Sequence, residues 1–297
     1  ALERALAWLE QNEIRIWGDW WIKNRRARPG GWAFQFRNPF YPDVDDTAQV
    51  LLAMEACRGP EKARTMGAFQ RGLSWILSMQ NRAGGWSSFD KNNDRLALTH
   101  FPFADHNAML DPSACDITGR VLELLQAAGI SREHPAVSKA VAFLRERQEA
   151  DGSWFGRWGV SYTYGSWLAL RGLRAAGEPM EGVRIQQAGR WLVSHQNPDG
   201  GWGESCRSYD DPSTKGRGTS TPSQTAWALM ALASLDWVGE PAFRRGLEFL
   251  LSRQREDGNW PEDQFTGTGF PRVFYLRYDL YRTYFPLLAL VEAREAF

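Results

Sequence analysis

Four times in this chain a glutamine is followed four residues on by a glycine and two further on by a tryptophan: Gln80-Gly84-Trp86, Gln148-Gly152-Trp154, Gln196-Gly200-Trp202 and Gln254-Gly258-Trp260. An aromatic-aliphatic pair precedes each glutamine by four to five residues: Trp75-Ile76, Phe143-Leu144, Trp191-Leu192 and Phe249-Leu250. The repeating unit therefore reads as helix, tight turn and tryptophan plug. A worn fifth copy opens the chain, with Trp8-Leu9, then Glu13 in place of the glutamine, and Gly30-Gly31-Trp32 after an insertion. Successive glutamine-equivalent positions lie roughly fifty to seventy residues apart, room for two helices and a loop in each repeat.

Two classes of helix alternate along this array. One class ends at the repeat glutamine (2–13, 68–80, 135–148, 185–196 and 241–254) and carries many charges, such as Arg145-Glu146-Arg147 and Arg244-Arg245, so one face of each should meet water. The other class follows an irregular loop (45–56, 116–128, 162–176, 222–235 and 281–295). Its segment 225–233 is apolar nearly all round, as befits a helix buried on both sides. Asp45, Asp46, Asp116 and Ser223 stand where the free N–H groups of inner helices need acceptors. Five such pairs make most of a closed double ring, so the expected fold is all-α, an α/α toroid of the (α/α)6-barrel type. In it the repeat residues Gln80, Trp86, Gln148, Trp154, Gln196, Trp202, Gln254 and Trp260 act as staples: the indole packs between neighbouring repeats and the amide binds backbone at helix ends.

Composition excludes several classes of function. Lys plus Arg and Asp plus Glu both number 35, which leaves no electrostatic footprint for nucleic acid. Cys57, Cys115 and Cys206 sit in no metal-like or CxxC spacing and read as reduced thiols of a cytosolic protein. His100 and His106 flank 101–105 without consistent ligand spacing and read as loop histidines, so no metal site is expected. No stretch approaches the ~20 apolar residues that span a bilayer. Residues 1–297 read as one toroid domain without a linker. Because Ala1 is followed at once by an amphipathic helix with Leu2, Ala5, Leu6 and Leu9, the domain is expected to be a segment of a longer chain.

Three carboxylates occupy four positions, Asp43, Asp45 and Asp46, where the first inner helix begins. Such acids are ordinarily helix caps or a weak cation site. Here the approach Trp32-Ala33-Phe34-Gln35-Phe36 and the neighbours Phe40-Tyr41 are aromatic, so mutual repulsion and lost solvation should raise the pKa of at least one carboxyl. A proton held at neutral pH in a dry site is a general acid.

The sequence Asp43-Val44-Asp45-Asp46-Thr47-Ala48 set within QW repeats resembles the squalene-hopene cyclases, the bacterial class II triterpene cyclases. The resemblance covers essentially the whole chain, including 152–159, 197–204, 220–227 and 266–271. It implies a cyclase that protonates a terminal alkene of squalene and closes rings toward hopene-type pentacyclic products, without a cofactor. Asp45 then matches the proton donor, with Asp43 and Asp46 as flanking acids. Phe34, Trp158, Phe270 and Phe274 match the rings that stabilise the carbocation, and Tyr164, Tyr278 and Tyr281 match further pocket tyrosines, with Tyr275 beside them as an additional candidate. Two positions depart from the family pattern. Arg120 stands where a histidine often hydrogen-bonds the acid, one turn after Asp116; either it anchors the acid or it forms a plain helix ion pair with Asp116. Phe89 stands where some members carry tyrosine, so only the ring is available there.

The resemblance further implies squalene or a similar polyprene as substrate and the remaining part of a two-domain enzyme as partner. It also implies peripheral attachment to the cytoplasmic side of the bacterial cell membrane, and it is compatible with a homodimer. Rival readings are a class II cyclase for oxidosqualene or a shorter polyprenyl chain, and an isolated lipid-binding toroid without catalysis. Protein prenyltransferase subunits share helical toroids, but the zinc set they need cannot be assembled from this sequence.

Overall fold

The computed structural model describes residues 1–35, 37–95 and 110–296; Phe36, His100 and His106 lie outside them. The described residues gather into two compact units, 1–146 with 175–177, and 147–174 with 178–297.

In the first unit the charged, outer-class helices are α1 (Leu2–Gln11), α4 (Gly67–Met79) and α6 (Pro135–Arg147), and the inner-class helices are α2 (Val44–Arg58) and α5 (Cys115–Ala127). A short α3 (Pro60–Thr65), with Pro60 at its first position, links α2 to α4. Helix α2 packs against both α4 and α5. In the second unit α7 (Tyr162–Ala175), α9 (Pro222–Ala233) and α11 (Tyr281–Ala296) are inner, and α8 (Val183–Ser194) and α10 (Pro241–Arg253) are outer. Helix α9 packs against α8, α10 and α11. Between α10 and α11 lies an antiparallel hairpin of β1 (Gly267–Phe270) and β2 (Phe274–Leu276), paired Gly267 with Leu276 and Thr268 with Tyr275.

Burial separates the layers as the pattern of charge predicts. Every residue of α9 from Pro222 to Leu232 is buried, and Leu51, Met54, Val121, Leu125, Leu168 and Leu173 close the cores of their units. Helix α11 departs from the expected all-round burial: Phe285 and Ala289 are covered, whereas Leu287, Leu288 and Val291 stay exposed.

The repeat turns bind as expected of staples. The Gln80 amide donates to the Gly84 and Ala136 carbonyls, both at 2.8 Å, and Gln148 and Gln196 do the same at Gly152 and Arg184 and at Gly200 and Ala242. The indole N–H of Trp86, Trp202 and Trp260 reaches back 2.8 Å to the carbonyls of Ile76, Leu192 and Leu250, the aliphatic half of each pair. Trp154 is 1% exposed and fills the same position. Glycine is required in the turn on two counts. Gly152 and Gly200 have φ of 96° and 86°, and a Cβ there would stand 2.8 and 2.7 Å from the backbone of Gln187 and Arg245. Glu13 cannot donate as the glutamines do. Burial alone would raise its carboxyl, but Arg71, at 2.5 and 2.7 Å, and Arg15 hold it below the ordinary value, so an ion pair replaces the amide joint.

The capping residues differ from those read in sequence. Asp43, not Asp45 or Asp46, caps α2, its carboxylate accepting from Asp46 N–H; Thr221, not Ser223, caps α9 by accepting from Gln224 N–H. Both caps hold extended backbone, at φ −107° and −123°, and Pro222 at the first helical position leaves the cap to the residue before it. Asp116 lies inside α5, where its carboxylate accepts from Ile117 N–H, and Ser223 N–H and hydroxyl both donate to Glu262.

Candidate active site

The start of α2 is clamped from two sides. Asp43 N–H donates to the Trp32 carbonyl at 2.8 Å, Trp32 N–H donates to the Thr47 hydroxyl at 2.9 Å, and Val44 N–H donates to the Ser88 carbonyl at 2.8 Å. The turn that carries Ser88 is itself held by Asp111, whose carboxylate accepts the N–H groups of Ser88, Phe89 and Asp90. Asp111 is a site residue that sequence reasoning missed. Its signal was an acid just before a proline in the loop ahead of an inner helix, a pattern too common to single out.

Three carboxylates then share one helical turn. Asp43 is buried, and burial, reinforced by the charges of Asp46, Asp45 and Asp111, holds its carboxyl well above the usual range against the opposing Asp46 N–H bond. Asp46 is pushed up to about 7 by burial and by Asp45, with Arg120 pulling the other way. Asp45 has a side chain 30% exposed and accepts from Arg120 Nε at 2.9 Å. The Arg120 guanidinium of α5 crosses to Asp45 on α2, the contact that anchoring of the acid requires. Gln49, with its amide oxygen turned toward the guanidinium, accepts from Arg120 as well. Asp116 is buried one turn before Arg120 on α5. The expectation that nearby rings dry the acids is corrected in part. Trp32 is buried, but Phe34, Phe40 and Tyr41 are exposed. Phe89 lies half-buried in the turn held by Asp111.

In the second unit the expected rings fall into three groups. Trp158 meets Phe270 edge-on at 6.3 Å, and Phe270 meets Phe274 at 5.9 Å. Tyr164, Tyr278 and Tyr281 join Trp167, Trp227 and Phe285 in a larger cluster, in which Tyr164 and Trp227 lie 4.8 Å apart and Tyr278 and Tyr281 lie 4.6 Å apart. Tyr275 stands with neither group and stacks on Tyr209 at 5.8 Å. The hairpin, which period-based reading did not find, organises these rings. Thr268 N–H donates to the Trp158 carbonyl and Val160 N–H to that of Thr266, so residues 158–160 extend the sheet beside β1. Gly159, Gly267 and Gly269 leave the room that the rings of Tyr164, Tyr278 and Phe274 occupy. Trp167, Trp227 and Phe285 stand on the inner helices α7, α9 and α11, and nothing in their spacing distinguishes them from helix core.

Paired helices in two layers, tryptophan-plugged turns and an acid cluster at an inner-helix start define the type II terpene cyclase class. The type II terpene cyclase MstE from Scytonema has this fold, with a TM-score of 0.68 and 18% identity over 100% of this chain and 83% of that one, and its class is the α/α toroid. The family profile of the squalene-hopene cyclase C-terminal domain matches residues 1–295, and the chain belongs to that family. It is 47% identical to squalene–hopene cyclase of Zymomonas mobilis over 98% of this chain, and 46% identical to that of Alicyclobacillus acidocaldarius over 99%. Dammaradiene synthase of Dryopteris crassirhizoma is 44% identical over 99% of the chain. The chain spans 45%, 47% and 46% of the length of these three relatives.

Among the described residues no cluster of His, Cys, Asp and Glu is arranged to hold a metal ion, and no helix is long and apolar enough to cross a membrane.

Proposed function

We propose that this chain is the acid-bearing half of a two-domain triterpene cyclase that converts squalene, or a similar polyprene, to hopene-type pentacyclic products. The observation that carries the proposal is the carboxylate cluster at the start of α2, where burial raises Asp43 well above the usual carboxylate range and Asp46 to about 7, beside an Asp45 tied to Arg120. Interacting acids of this kind titrate as a set, so the proton inventory belongs to the cluster. Asp45, the member with an open side chain, presents the proton to the substrate.

An alkene is a weak base, and its protonation requires a preorganised acid. The proton adds to one carbon of the terminal double bond and leaves a tertiary cation on the other. Successive π pairs then close rings, and loss of a proton or capture of water ends the sequence. Rings such as Trp158, Phe270 and Phe274 stabilise positive charge through their quadrupoles without trapping it. Selectivity rests on holding a flexible polyprene in a product-like shape before the proton arrives. The proposal includes docking on the cytoplasmic face of the bacterial membrane without spanning it. Flotation with anionic liposomes tests that part, and recovery of all active protein unbound refutes it.

The test of the chemistry is Asp45→Asn in the longer polypeptide, incubated with squalene and analysed for extracted cyclic products. The substitution keeps the shape and removes the transferable proton, so cyclisation should disappear while helical content and substrate binding persist. Near-normal turnover by a folded variant would move the acid elsewhere. Parallel incubations with oxidosqualene and shorter polyprenes identify the substrate.

A further inference from the structure

A guanidinium makes heavier demands on its surroundings than the single acid it pairs with can meet. Its planar fork carries five N–H donors and takes oxygen from whichever neighbours are placed to give it. The Arg120 side chain is only 10% exposed, so acceptors have to come largely from the protein. Its Nε donates to Asp45 Oδ1 at 2.9 Å. Asp116, buried one turn earlier on α5, stands at the spacing at which a carboxylate and a guanidinium of one helix pair, and so is a competitor for the same fork.

Gln49 supplies an acceptor on the side of Asp45. It lies one turn after Asp45 on α2, so both side chains leave the same face of that helix. Its amide oxygen, turned toward the guanidinium, accepts from Arg120 Nη1 and, at 2.6 Å, from Nε. Asp45 and Gln49 therefore grip one edge of the fork from consecutive turns of a single helix. A glutamine on an exposed helix position is ordinarily a solvated side chain, and Gln49 is exposed while Thr47, Ala48 and Leu51 around it are buried. Packing of the helix core does not call for glutamine at this position, whereas the guanidinium does.

The residue type matters as much as the place. The first turn of α2 already gathers Asp43, Asp45 and Asp46, and Asp111 adds its charge from the neighbouring turn. A carboxylate at position 49 would divide Arg120 between two anions and add to the repulsion, and an aliphatic side chain would remove one of the holds on the fork. A neutral amide accepts without competing for the charge. Arg120 opposes the rise of the Asp46 carboxyl, so the place of the guanidinium is felt beyond Asp45 itself.

We propose that Gln49 is a positioning residue, whose amide oxygen holds the Arg120 fork against Asp45 and keeps the charge of the cation on the acid that presents the proton. This rests on the cyclase reading above, in which Asp45 is that acid.

The test begins with squalene turnover by the longer polypeptide. Gln49→Leu, which cannot accept, should lower kcat by about tenfold, as a small misplacement near a reacting centre does, and leave KM within about twofold. Gln49→Glu, which accepts but carries charge, should lower kcat as well. In the 297-residue chain, carboxyl NMR should show the Asp46 midpoint rising in Gln49→Leu, because the guanidinium that holds it down is loosened, and rising further in Gln49→Glu. In an Arg120→Gln background, Gln49→Leu should leave that midpoint where it is. Position 49 is exposed and both replacements favour helix, so the Gln49 variants should fold; if Arg120→Gln does not, the single variants decide. An Asp46 midpoint unmoved by Gln49→Leu, or moved equally with and without Arg120, overturns the proposal. So does a raised KM at unchanged kcat, which would make Gln49 a substrate contact. Squalene turnover by the unsubstituted enzyme with an unmoved midpoint rejects the positioning role alone, and a moved midpoint without turnover rejects the cyclase reading alone.

Discussion

Replacing Asp46 by asparagine should stabilise this protein above neutral pH. Its carboxyl is raised from 3.8 to about 7 by burial and by the charge of Asp45. A rise of that size corresponds to about 4 kcal/mol of unfavourable free energy for the ionised form in the folded state. Between the unfolded value near 4 and the folded value near 7, the folded chain binds more protons than the unfolded one. Stability therefore falls as pH rises through that window, and the whole cost stands above it. Asp46→Asn removes the ionisation and also removes a charge that helps to raise Asp43. It keeps the backbone N–H that Asp43 accepts as a cap. It loses one acid from the first turn of α2, where the helix dipole favours negative charge by roughly 0.3–1 kcal/mol. The net expectation is a gain of about 3–4 kcal/mol at pH 8, falling toward zero at pH 4.5, where the native carboxyl is already neutral. Urea unfolding of both proteins across this range measures the difference. A variant that is no more stable than the parent at pH 8, or a gain that does not change with pH, would refute the account of the cluster.

Arg120→Ala removes the charge that opposes the rise at Asp46, so the pH midpoint of Asp46, followed by carboxyl NMR, should move above 7; an unchanged midpoint would separate the guanidinium from the cluster. Trp202→Ala deletes a side chain 1% exposed together with its bond to the Leu192 carbonyl, and should cost roughly 3–5 kcal/mol in chemical denaturation. An unaltered unfolding midpoint would deny the indole its role as a staple. Glu204→Ala strands the buried N–H groups of Tyr162 and Thr163 at the start of α7, and should cost at least about 3 kcal/mol. Glu204→Gln, which keeps an acceptor oxygen, should recover a substantial part of that loss.

The sequence by itself determined the repeat. Gln-x3-Gly-x-Trp with an aromatic-aliphatic pair before it specifies helix, positive-φ turn and plug, because each residue type is required by its own local geometry: an amide that bonds backbone, a glycine with no Cβ, an indole that fills a gap between helices. The inner and outer layers were legible for the same reason, since charge on one face of a helix and its absence on another is a local pattern. The acid triplet was legible as a cluster, and the sequence located Arg120 without deciding its partner. Only the tertiary structure brings Arg120 of α5 to Asp45 on α2, because that contact depends on how α2 and α5 pack. The same holds for Asp111, which reaches the Phe89 turn across 22 residues of chain, and for the hairpin whose glycines seat Tyr164, Tyr278 and Phe274. Which carboxyls are raised was likewise beyond the sequence. Adjacent acids look equivalent along a chain, and they become unequal when packing takes water from Asp43 and Asp46 and gives Asp45 a cation.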